Sequence, residues 1–153
     1  TQDWHPARHG SFASAHPGAQ PYELGELDGL PQVFWPDHCV QSTAGAEFAA
    51  ELDQERIEAV FRKGMDPRID SYSGFFDNGQ KKATGLEGYL RGRGVTEVHV
   101  AGLAADYCVY YTAKDALSLG FKSAILLEAT RAIDAAGFAL AQEQFLKLGG
   151  LLR

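Results

Sequence analysis

Beyond residue 56 the chain alternates short apolar runs with segments whose apolar side chains recur every three to four positions. Ile57-Glu58-Ala59-Val60-Phe61-Arg62-Lys63 alternates like a half-buried strand and stops at Gly64. Residues 84–91 read as a short helix in which Thr84 stands as the N-cap and Glu87, three positions on, completes a capping box. Residues 98–103 form a second predicted strand. Asp106 then stands as cap for a helix over about 107–119, where Val109, Ala113, Ala116 and Leu117 share one face and Gly120 supplies the stop. Residues 121–127 give a third strand, 135–148 a further helix, and Leu151-Leu152 the remnant of a last strand. Strand alternating with helix at this spacing predicts a mostly parallel sheet covered by helices, an α/β fold of three layers. Residues 1–47, rich in Gly, Pro, His and aromatics, hold no sustained period and are expected to be long loops, the kind that carries function.

Composition narrows the classes. With 153 residues, 45% of them hydrophobic, one domain with a single core is expected, stable without disulfides or a structural metal. The 14 basic and 20 acidic side chains leave a net charge of −6, which argues against a surface that tracks nucleic-acid phosphates. No run approaches the roughly 18 apolar residues of a membrane span, and no basic-then-apolar leader opens the sequence, so a soluble cytoplasmic protein is expected. Two cysteines, Cys39 and Cys108, fit a reducing compartment. The only methionine is Met65, and the sequence opens in mid-stride at Thr1-Gln2-Asp3-Trp4-His5-Pro6.

Three groups of residues have chemical potential. Asp3 and His5, two positions apart, point to one side if the opening residues end a strand, an arrangement that suits a metal. Four of the five histidines, His5, His9, His16 and His38, lie in the loop-rich first quarter, and His38 in Trp35-Pro36-Asp37-His38-Cys39 is a candidate third ligand. Solvated surface histidines are the other reading, preferred for His16. In Gly102-Leu103-Ala104-Ala105-Asp106-Tyr107-Cys108 a strand ends in a small-residue turn and feeds a helix whose first turn holds a thiol. The helix dipole and unpaired backbone N–H groups there favour thiolate and an oxyanion, although a buried structural cysteine has the same sequence signature. Lys63, at a strand end, is placed at the same sheet edge as Cys108, where a cation stabilises thiolate, or is simply a solvated charge. Asp70-Ser71-Tyr72-Ser73-Gly74-Phe75-Phe76-Asp77-Asn78-Gly79 packs aromatics into a turn-rich loop, either a wall for a flat ligand or a satellite hydrophobic cluster.

Taken together, TQDWHPARHGSFAS, LPQVFWPDHCVQSTAGAEF, FRKG, DSYSGFFDNG and GLAADYCVYYTAKDALSLGF resemble the nicotinamidase (pyrazinamidase) branch of the isochorismatase-like cysteine hydrolases, in that family's order and near its spacing over most of residues 1–120. The resemblance implies a Rossmann-like α/β/α fold and a hydrolase of a linear carboxamide, converting nicotinamide to nicotinate and ammonia, with pyrazinamide a further candidate substrate, in NAD salvage. It makes Cys108 the nucleophile that forms a thioester, Lys63 the lysine of the nucleophile's triad, and the N–H groups of Ala104 and Cys108 the oxyanion hole, with a cis peptide between Leu103 and Ala104. It makes Asp3, His5 and His38 the ligands of one divalent metal, with zinc ahead of iron or manganese, which holds the pyridine nitrogen and so positions substrate. His9 matches a position that is an extra ligand in some members and is left outside the set. Trp35 and Tyr72 resemble the aromatic walls around the ring. Cys39 is assigned no role. The partner is a small molecule, and assembly into a homo-oligomer is left open.

One segment of the family pattern has no match. Family members begin with a strand carrying a D-x-Q-N-D-F-like run whose first aspartate is the general base, and no such run occurs in these 153 residues. Residues 1–153 are therefore expected to be an N-terminally truncated isochorismatase-like domain lacking that strand and its helix. The alternative expectation is a metal- and pyridine-binding domain without turnover.

Overall fold

The computed structural model describes residues 1–153, and the chain forms two units: residues 1–71 with 77–82, and residues 72–76 with 83–153. The first unit carries the short strands β1 (Gln2–Asp3), β2 (Leu24–Leu27), β3 (Leu30–Val33) and β4 (Arg62–Lys63). The second contains α1 (Leu86–Gly92), β5 (Glu97–Leu103), a π-helical turn at Ala105–Val109, α2 (Tyr110–Ser118), β6 (Lys122–Arg131), α3 (Ala135–Lys147) and β7 (Leu151–Leu152). The expected α/β class holds, with parallel pairing of β1 with β4 and of β5, β6 and β7 in that order.

In the first unit the strands are short and much of the chain is held by turns. The antiparallel β2–β3 hairpin was not foreseen from periodicity, although its turn residues Asp28 and Gly29, at φ 52° and 76°, are the pair that a two-residue hairpin turn with positive φ favours. Only Arg62 and Lys63 of the strand predicted from Ile57 join a ladder, because the partner β1 offers just two residues. Phe12, Phe34, Trp35, Ala46 and Ile69 are buried here together with His5, His9 and Ser11. Gly25 is glycine for space: a Cβ there would meet the ring of Phe34.

In the second unit each predicted element is present, with altered ends. The capping box at Thr84 does not form. Gly85, at φ 92°, precedes α1; the Thr84 hydroxyl donates to the Gly74 carbonyl and accepts from Leu86 N–H, while Glu87 turns to Arg91 at 2.8 Å. Asp106 does not cap α2 either. Its carboxylate accepts from the backbone N–H groups of Ile133 and Asp134 at 3.0 and 2.8 Å, tying the loop before α3 to the turn before α2. Asp134 in turn caps α3, accepting from Ala136 and Gly137. The core is built where α2, β6 and α3 meet, from Val109, Tyr110, Ala113, Ile125, Ala141 and Phe145, with a second cluster at Phe75, Ala116 and Phe121. Ala113 and Ala116 are fully buried, their small side chains letting α2 lie close to its neighbours. The Leu103–Ala104 peptide is cis, as anticipated.

Candidate active site

The register of β1 on β4 places Asp3 opposite Lys63. Lys63, 4% exposed, donates from Nζ to Asp3 Oδ1 at 2.5 Å and to the Ser71 carbonyl at 2.7 Å. Beyond β1, His5 bridges to Val40: its N–H donates to the Cys39 carbonyl and its carbonyl accepts from Gln41, which fixes the segment bearing His38 beside it. The rings of His5 and His38 lie 4.9 Å apart. Ligand atoms of Asp3, His5 and His38 all fall within 4.8 Å of one another, so the three residues named from sequence do converge.

Ring orientation makes this set fit a metal. His5 Nδ1 lies 2.9 Å from the Gly64 carbonyl and His38 Nδ1 lies 2.8 Å from the Pro36 carbonyl. A carbonyl only accepts, so both Nδ1 atoms carry the proton and both Nε2 atoms present lone pairs. Two such nitrogens and a carboxylate, with backbone partners behind the rings, are the donor set and outer support of a divalent metal with open positions. Gly64 is required at its place: it has φ 65°, and a Cβ on it would run into the His5 ring.

Burial dominates the electrostatics of the histidines. It lowers His5 from 6.5 to about 4 against the opposing pull of Asp3, and it lowers His9 as well, so both rings are neutral near pH 7. For Asp3 burial opposes the charge, but the Lys63 ammonium, its hydrogen bond, and the two histidines outweigh this and hold the carboxyl below its usual value.

A second set overlaps the first and was not recognised in the sequence. His5, His9 and Asp70 are all buried and offer ligand atoms within 4.8 Å of one another. Asp70 opens the aromatic loop that drew notice for its rings, and its carboxylate accepts from Ser71 N–H at 2.7 Å and Gln32 Nε2 at 3.1 Å. No local signal marks Asp70 in the sequence: its burial, and the contact of Lys63 with the carbonyl of the next residue, arise only in the fold. Trp35 is also in this unit, 7% exposed, with its ring edge-on to Tyr22. His16 bonds to the Gly10 carbonyl through Nε2 and stacks on Phe34.

The second unit holds the thiol. Cys108 lies in the π-helical turn, half-buried, and neither it nor Cys39 forms a disulfide. Ala104 precedes the turn, and its carbonyl accepts from Tyr107 N–H at 3.2 Å and Val109 N–H at 3.0 Å. Tyr72 meets this turn: its ring is 5.3 Å from Tyr107 and 5.4 Å from Tyr111. Tyr107 and Tyr111 were not singled out in the sequence, although their spacing of four places both on one helix face. Burial, with Asp106 and Tyr111 nearby, raises the Tyr107 phenol above its ordinary value.

Comparison with known proteins bears on both halves. A family model described as an isochorismatase domain matches residues 25–151. A nicotinamidase of Escherichia coli is 54% identical over 134 residues, 88% of this chain and 62% of that one, so the chain spans under two thirds of that relative's length. A nicotinamidase/pyrazinamidase structure from Acinetobacter baumanii superposes with a TM-score of 0.95 at 43% identity, covering 99% of this chain and 73% of the other. A pyrazinamidase of Pyrococcus horikoshii solved in complex with zinc gives 0.77 at 34% identity, covering 99% and 72%.

Proposed function

The chain belongs to the isochorismatase domain family, and on that premise we propose that it is the metal- and thiol-bearing portion of a nicotinamidase, hydrolysing nicotinamide to nicotinate and ammonia. The observation that carries this reading is the convergence of Asp3, His5 and His38 with both histidine rings turned to offer Nε2. The family model matches residues 25–151, in both units, which supports reading the chain as one isochorismatase-like domain.

Asp3, His5 and His38 would hold one divalent cation, with zinc favoured by the zinc-bound relative. That cation, when bound, supplies a Lewis-acidic anchor for the pyridine nitrogen. Trp35 and Tyr72 are assigned to the faces of the ring. Cys108 Sγ adds to the carboxamide carbon, and the N–H groups of Ala104 and Cys108 receive the developing oxyanion. The C–N bond then breaks, the nitrogen leaves as ammonia with the thiol's proton, and water cleaves the thioester to nicotinate and free thiol. Lys63 favours the anionic states through its charge and holds Asp3 ionised. The product would feed NAD salvage, and pyrazinamide, with the same ring-borne carboxamide, is the second substrate assigned.

Ammonia release from nicotinamide by the zinc-loaded protein tests this: Cys108→Ala should reduce it to background, and an unchanged rate in that variant refutes the assignment. A second reading is a domain that binds metal and pyridine without turnover; it predicts zinc-dependent nicotinamide binding with ammonia at background.

A further inference from the structure

Three histidine rings meet around Phe12, and their Nδ1 atoms face opposite kinds of partner. His5 and His38 point Nδ1 at backbone carbonyls. His9 points Nδ1 at Ser11, whose backbone N–H donates to it at 3.2 Å and whose hydroxyl lies 2.7 Å away. A backbone N–H can only donate, so His9 Nδ1 must be bare. With Nδ1 bare, the ring's single proton sits on Nε2. That atom is fully buried and completes no hydrogen bond, although the backbone of Asp66 and Ile69 acts on the ring, on a residue 0% exposed whose ring centroid is 4.6 Å from that of His5. An unpaired buried N–H is costly, so a site that retains one implies an acceptor that arrives with a ligand.

We propose that His9 is a positioning residue that donates from Nε2–H to a water held at an open position of the Asp3–His5–His38 metal, and that it is not itself a ligand. Ligation through His9 Nε2 would require moving its proton to Nδ1, directly against the Ser11 N–H; ligation through Nδ1 would break both Ser11 contacts. The overlapping set of His5, His9 and Asp70 is therefore not a metal site in this ring arrangement, and His5, with its one free Nε2, belongs to the other set. The proposal rests on the metal reading given above.

Long-range proton–nitrogen NMR of the nitrogen-15 histidine-labelled chain reads each ring directly, before and after addition of zinc. Before zinc, His9 should be the Nε2–H tautomer while His5 and His38 are Nδ1–H; an Nδ1–H tautomer for His9 overturns the proposal. With zinc, Nε2 of His5 and His38 should shift as ligands, whereas His9 should keep its Nε2 proton and show that proton's resonance displaced and its solvent exchange slowed. A metal-shifted, deprotonated Nε2 on His9 refutes the proposal and leaves the metal reading standing. So does a His9 signal indifferent to zinc, which would mark a purely structural ring. Failure of His5 and His38 to respond removes the metal reading and the proposal together.

Discussion

Lys63 is committed at both ends of its ammonium's reach, to the Asp3 carboxylate and the Ser71 carbonyl, and it is almost wholly buried. Removing one partner of such a pair strands the other charge, so Lys63→Met should destabilise the chain by about 3 kcal/mol, and adding Asp3→Asn should recover part of that loss. Urea midpoints of the two variants check this; a midpoint unchanged in the single variant refutes it. The histidines set the acid limb. His5 is held at about 4 when folded and returns to about 6.5 when unfolded, so between these values the unfolded chain binds the extra proton. Stability of the metal-free chain should therefore fall as pH drops from 6.5 to 4, by up to about 3 kcal/mol from this residue. His9 acts in the same direction. Asp3, lowered from 3.8, adds to this loss further down the scale: its stabilisation is present above that value and is lost as pH falls below it. Midpoints that stay level from pH 6.5 to 4 would contradict the assignment of a neutral buried His5. At this scale the D-x-H pair was legible because two-residue periodicity is local. The ion pair was not, since Lys63 is 60 positions from Asp3 and is brought to it by strand register.

The turn that carries Cys108 is joined to α3 by a carboxylate read from sequence as a helix cap. Asp106 reaches instead across 27 and 28 positions to the N–H groups of Ile133 and Asp134. Asp106→Ala should therefore loosen both the Cys108 turn and the entry to α3, increasing the rate at which a disulfide reagent labels Cys108. Asp134→Ala, which removes only the α3 cap, should cost about 1 kcal/mol and leave that labelling rate nearly unchanged. Equal labelling effects from the two variants would show that Asp106 does not brace the turn. Most of the second unit's elements were readable because α2 and α3 bury one face and β5–β7 follow the strand–helix alternation. The element missed altogether, the β2–β3 hairpin, has partly exposed strands whose apolar residues include Leu24, 77% exposed, and burial therefore imposes little pattern on it. Its Asp28-Gly29 turn was the legible signal.

For the molecule as a whole, every ligand of the proposed metal lies in the first unit. Zinc at a hundredfold excess over its dissociation constant should stabilise the chain by about 2.7 kcal/mol, with a chelator reversing the gain. Amide-exchange protection gained on zinc addition should concentrate around residues 3–5 and 38–41; protection confined to residues 83–153 would place the metal elsewhere. The sequence by itself determined the α/β class and the order of elements in the second unit, because periodicity is a local property of the chain; it offered Asp3 and His5 as a pair two positions apart, with His38 as a candidate third member. Only tertiary structure decided that Lys63 pairs with Asp3, that Asp106 braces rather than caps, and that His5 and His9 hold their protons on opposite nitrogens. For His5 and Lys63 the reason is distance along the chain: Gly64 lies 59 positions from His5, and Asp3 lies 60 from Lys63. For His9 it is direction, since Ser11 is only two residues away and the backbone path alone turns its N–H onto the ring.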